Sequence, residues 1–230
     1  MRRPVHTFIA VLAGTTLATG CTSTAAGHAE ANRAHASRPV AGAALDNVLL
    51  SPQQLGGIVG AQLQVRVDQK QPVGGGPSGP CAALANAGSE AIVGKGFSAY
   101  HVLALADSSD KQPDHIVVQA VGIYTDARTA TQQFTSATRD LGVCNGRRVN
   151  DEAYWRYAVN DVTPDTVRWN KTETDVPWPW VCHGQQRVRN NAIVVAMSCQ
   201  ADEAGAAHTD TIVNQMSATL WNLSSPNGSP

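Results

Sequence analysis

The dipeptide Asn190-Asn191, set midway between Cys182 and Cys199, constrains this chain more than any other feature. Asparagine tolerates the positive φ that the commonest two-residue hairpin turn requires. With those residues as the turn, Arg189 faces Ala192. Counting outward seven further positions along each strand brings Cys182 opposite Cys199. Pairs in an antiparallel ribbon alternate between hydrogen-bonded and non-hydrogen-bonded sites. The two cysteines fall on a non-hydrogen-bonded site, where opposed side chains come close enough for a disulfide.

The chain has five cysteines. The first, Cys21, is accounted for by an export signal. Arg2 and Arg3 form a positive n-region, and an apolar run over residues 8–17 is too short to span a bilayer but fits a signal-peptide core. Leu17-Ala18-Thr19-Gly20-Cys21 then resembles a bacterial lipobox, with Ala18 standing where leucine is usual. The reading is a signal peptide over 1–20 and an acylated Cys21; the alternative is ordinary cleavage beside an unrelated cysteine. An even remainder of four cysteines in an exported chain reads as two disulfides. With Cys182 paired to Cys199, Cys81 takes Cys144.

Residues 21–44 are rich in Ala, Thr, Ser, Gly and His without apolar periodicity, and read as a tether from the membrane. The domain is expected over 45–223, with a disordered tail over 224–230. Hydrophobic content of 43% and charged content of 15% suit a globular domain. A net charge of −1 without a basic stripe argues against nucleic acid as a partner.

Ser51-Pro52-Gln53-Gln54 carries a capping serine, a first-turn proline and a capping-box glutamine, so a short helix starts there and Gly60 ends it. Alternation over 62–67 predicts a strand. Residues 97–106 and 115–124 read as two strands joined by a polar loop. Asp126 caps a helix whose apolar residues Ala127, Ala130, Phe134, Ala137 and Leu141 keep helical spacing, ended by Gly142. Residues 154–162 and 165–170 read as another strand pair, and Pro177-Trp178-Pro179-Trp180 as an aromatic corner. Ile212, Val213, Met216 and Leu220 place one apolar face on a C-terminal helix.

In their order and spacing these residues resemble the PknH-like extracellular sensor domains of mycobacteria, borne by a serine/threonine kinase and by lipoproteins lacking one. The Ser51-Pro52 opening, Tyr124-Thr125-Asp126-Ala127 before the Phe134 helix and Cys144, Trp180-Val181-Cys182 before Arg189-Asn190-Asn191 and Cys199, and the C-terminal helix carry the resemblance. It spans roughly 45–222. It implies an α+β fold: a single domain with a twisted antiparallel sheet, packed helices, two sequential disulfides and a large cleft. It also implies a ligand-sensing role, without naming a ligand.

Catalytic and metal signatures are weak. His28 and His35 lie in the tether, and His101, His115, His183 and His208 are scattered singly, so neither a metal nor another cofactor is expected. Gly96-Phe97-Ser98-Ala99-Tyr100 lacks the second glycine of a nucleophile elbow. The Gly74-Gly75-Gly76 loop lacks the lysine of a phosphate-binding loop. Trp155, Trp169, Trp178 and Trp180 serve either as packing over the hairpin or as a cleft wall for apolar or sugar ligands. Arg187 and Arg189 share one strand face. With Trp178 and Trp180 they are the candidate ligand-binding residues. The functional expectation is a non-enzymatic binding or sensing domain, lipid-anchored to the outer face of the cell membrane, whose ligand is an envelope lipid or glycan. The alternatives are an envelope-modifying hydrolase and a module that docks another exported protein.

Overall fold

The computed structural model describes residues 38–75, 79, 81–108, 113–147 and 155–225. The expected signal peptide, Cys21 and most of the expected tether lie outside the described residues. Seven strands form one fully antiparallel sheet: β1 (Gln64–Gln69), β2 (Ala99–Ala106), β3 (Ile116–Ile123), β4 (Trp155–Val162), β5 (Thr166–Glu173), β6 (Val181–Arg189) and β7 (Ala192–Gln200). Their spatial order is β1-β2-β3-β7-β6-β5-β4. The hairpin of β6 and β7 thus returns to the middle of the sheet and joins an N-terminal meander to a second hairpin. Every residue of β7 is buried, as a central strand with both faces covered must be.

Helices cover both faces. On one lie α2 (Ala82–Ala85), α3 (Glu90–Val93) and α4 (Ala127–Thr138); on the other lie α1 (Pro52–Val59), α5 (Gly205–Ser224) and a 3-10 turn, Gly42–Asn47. Two apolar cores result. One gathers Leu84, Ile92, Tyr124, Phe134, Trp169, Ile193 and both disulfides. The other gathers Leu45, Leu55, Leu105, Ile123, Val194, Ile212, Met216 and Leu220. Alternation along β7 feeds them in turn, odd residues to the first and even residues to the second.

The local chemistry matches the sequence closely. Ser51 and Gln54 form a reciprocal capping box, and Gly60 closes α1 in the left-handed region at φ 74°. Asp126 accepts the Thr129 amide at the start of α4. Cys182 faces Cys199 in the β6–β7 register, and Arg189 faces Ala192. The disulfides are Cys182–Cys199 and Cys81–Cys144.

Four details differ. Packing begins before Leu45: Val40 is buried, so residues 40–44 belong to the domain rather than to the tether. At the other end α5 runs through Ser224, which is buried and whose carbonyl accepts the Arg38 amide. Thus Ser224 is not part of a tail. The α4 helix stops at Thr138, and Leu141 and Cys144 sit instead on a 3-10 turn, Leu141–Cys144, that turns the cysteine inward toward Cys81. Finally Asn191 does more than turn the chain. Its buried amide accepts from Val40 N at 2.7 Å and donates to the carbonyls of Val40 and Tyr124, sewing the N-terminal segment to the hairpin.

Candidate functional site

A cleft of about 370 Å³ opens between the 3-10 turn Gly42–Asn47 and the start of β2. Gly42, Ala43, Leu45, Asp46, Lys70, Ser98, Ala99 and Tyr100 form its walls. That volume lies within the range of about 300 to 1,000 Å³ typical of small-molecule sites. A Cβ on Gly42 would press on the Ala99 methyl at 3.0 Å, so the glycine lets the two walls approach closely.

Behind the cleft lies a charged cluster. Odd residues of β2 share a face with even residues of β1, so His101, Asp68 and Lys70 come together. His101 Nδ1 lies 2.8 Å from Asp46 Oδ1, and Nε2 lies 2.7 Å from Asp68 Oδ1. The Lys70 ammonium pairs with Asp46 and lies 3.1 Å from His101 Nδ1. Lys70 holds the Asp46 carboxyl below its ordinary range; burial opposes it, and His101 adds to the lowering. The His101 side chain is only 10% exposed, whereas those of Asp46 and Asp68 are 66% and 60% exposed. A buried ring therefore carries two accessible carboxylates, one of them at the cleft wall. Alternation of Arg66, Asp68 and Lys70 was the available sequence signal for this cluster. It is indistinguishable from an ordinary charged edge strand until Asp46 is brought over it.

A second cavity, about 60 Å³, lies against the first turn of α5 and is lined by Asn160, Arg168, His183, Gln185, Thr209 and Asp210, among others. It has room for a few waters and no more. Arg168 is already bound there, by Asp210 and Asp161 at 3.0 Å each, and Asp210 raises its pKa first among several causes. His183 Nε2 approaches Glu203 at 2.9 Å but without the alignment of a hydrogen bond.

The residues singled out from sequence divide between the two ends of β6. Arg187 and Arg189 share the face covered by α5, as their alternation predicts. Arg187 donates to Thr166, Asn214 and Ser217, and the Arg189 guanidinium lies 5.8 Å from the Trp221 ring. Trp178 and Trp180 precede the opposite end, and nine strand residues span about 30 Å. The four side chains therefore do not form one site. Trp178 is 83% exposed between two prolines, while Trp180 packs partly against the core. Trp169 is buried, donating to the Leu84 carbonyl, and its indole occupies the space that a Cβ at Gly184 would need. Trp155 stacks with Lys171, whose ammonium lies 4.9 Å from the ring. Burial lowers the Lys171 pKa to about 8.

Other histidines have local partners. Nδ1 of His115 meets Asp107 at 2.9 Å, and Nδ1 of His208 meets Gln200 at 3.0 Å. Burial and then the charge of His115 lower the His208 pKa. Among the described residues no three His, Cys, Asp or Glu side chains converge as metal ligands. Also among them, no helix is long and apolar enough to cross a membrane.

A profile of the PknH-like extracellular domain matches residues 40–219. The chain belongs to the PknH-like extracellular domain family. The crystal structure of the extracellular domain of PknH from Mycobacterium tuberculosis is similar in fold, with a TM-score of 0.71 and 19% sequence identity. The match covers 80% of this chain and 98% of that one. No curated protein matches in sequence. Membership makes this an extracellular domain and hence an exported chain. The match from residue 40 agrees with the burial of Val40.

Proposed function

We propose that this PknH-like domain is a non-enzymatic ligand-binding or sensing domain, held on the outer face of the cell membrane by an acylated Cys21. The cleft beside the 3-10 turn Gly42–Asn47 carries the reading. It has the volume for a small ligand, apolar walls at Leu45 and Ala99, and an ion pair at Asp46 and Lys70 to orient polar groups. Its ligand is an envelope lipid headgroup or a glycan. The hydroxyl of Ser98, the serine that lines the cleft, donates to the Ile123 carbonyl rather than to His101. A hydrolase would need that hydroxyl against a base.

Native mass spectrometry of the mature chain with fractionated envelope lipids and glycans tests the reading. A reproducible adduct is expected from the wild type and is expected to be lost in Lys70→Ala and Asp46→Asn, but not in Trp178→Ser. An adduct indifferent to both cleft variants, or none in any fraction, would overturn it. A fraction consumed without an adduct would replace it with the hydrolase.

A further inference from the structure

We infer that the end of the domain at which the chain enters is a docking surface for an anionic phospholipid bilayer. The inference rests on the lipid-anchor reading above, which is what puts a membrane beside the protein. Arg38 enters next to the β6–β7 turn and the last turn of α5. Its amide donates to Ser224, and its carbonyl accepts from the Asn190 side chain. Sixteen residues lie between Cys21 and Arg38. The chain that leads to the acylated residue therefore leaves the domain at this end, and the Trp178 corner lies beyond the opposite end of β6.

The surface presented at this end has the composition of an interfacial anchor. Trp221 is 58% exposed and Leu223 is 36% exposed, both on the last turn of α5. Arg189 stacks its guanidinium against the Trp221 ring. Arg38 and Arg189 are exposed, and among the described residues neither is ion-paired with a carboxylate. An indole prefers the headgroup level, where its ring is apolar and its N–H stays wet, and arginine stems lie along apolar surface while their heads meet phosphate. A contact of this kind orients the domain on the surface to which the acylated Cys21 holds it.

The test uses the unacylated mature chain, Cys21→Ser, and its sedimentation with vesicles of phosphatidylglycerol and phosphatidylcholine against vesicles of phosphatidylcholine alone. Binding is expected on the anionic vesicles only, falling with salt. Losing one arginine charge is expected to weaken it about five-fold. Arg189→Gln and Arg38→Gln should each do so, Trp221→Ser should weaken binding at every salt concentration, and Trp178→Ser should leave it unchanged. All four positions are exposed, and unchanged thermal melts establish that each variant folds. Equal binding to neutral vesicles, or no binding by the Cys21→Ser chain while the wild-type chain remains on membranes, overturns the docking surface but leaves the anchor reading intact. Loss of anionic binding in none of the three end variants overturns it as well. A wild-type chain that carries no acyl group undermines the anchor reading instead, and does so independently of the vesicle result.

Discussion

Asn191 illustrates how much a single residue does beyond its local geometry. Its partner Asn190 takes positive φ, 51°, and turns the chain; Asn191 itself does not, and is buried. Three hydrogen bonds from its amide satisfy both backbone groups of Val40 and the Tyr124 carbonyl. An unsatisfied buried polar group costs about 1 to 3 kcal/mol. Asn191→Ala strands several of them at once, so a loss of at least about 2 kcal/mol is expected, measured as a lower urea midpoint. A loss below about 0.5 kcal/mol, the level of an ordinary surface substitution, would mean that water replaces the amide. Gln119 plays a similar part on the same face, bonding both the amide and the carbonyl of Leu50. Neither role has a signature along the chain, because the groups being satisfied lie 151 and 69 residues away.

At the scale of elements, the two disulfides constrain different things. Cys182–Cys199 closes a 17-residue separation inside one hairpin, whereas Cys81–Cys144 spans 63 residues and ties α2 to the turn after α4. In the chain-entropy model the short bridge is worth about 3 kcal/mol and the long one about 4. The hairpin also keeps its ladder without the bridge, whereas the long bridge joins short elements, α2 and the turn, that have little hydrogen bonding of their own. Replacing Cys81 and Cys144 together by Ala is therefore expected to lower stability more than replacing Cys182 and Cys199, in guanidinium titrations compared at equal slope. The reverse order would place the stabilising weight on the hairpin. The long helices were legible because their apolar residues recur with period 3.6, and the strands because runs rich in apolar residues are bounded by turn signals. The four-residue helices α2 and α3 were not: each is too short for a period, and distant side chains satisfy their backbones. Trp169 and Lys171 donate to the carbonyls of Leu84 and Ala85 in α2, and Gln186 and Tyr124 to those of Ile92 and Val93 in α3.

For the whole molecule, the lipid anchor proposed above would decide where any ligand is met. Cys21→Ser is expected to move the protein from the detergent phase to the aqueous phase in partitioning of cell membranes, because the headgroup contacts proposed above are weak without an acyl chain. Retention of the variant in the detergent phase would refute the lipobox reading.

The amino-acid sequence by itself determined the hairpin, both disulfides, the capped helices and the family. Each of these depends on neighbours in the chain, on the period of a regular element or on the order of motifs. Only the tertiary structure decided that Asp46, Asp68, Lys70 and His101 meet, and that Trp221 lies over the end where the chain enters. The sheet order causes this. A hairpin inserted between two others puts residues side by side whose separation in sequence carries no trace of it, and burial then selects which of their charges find partners.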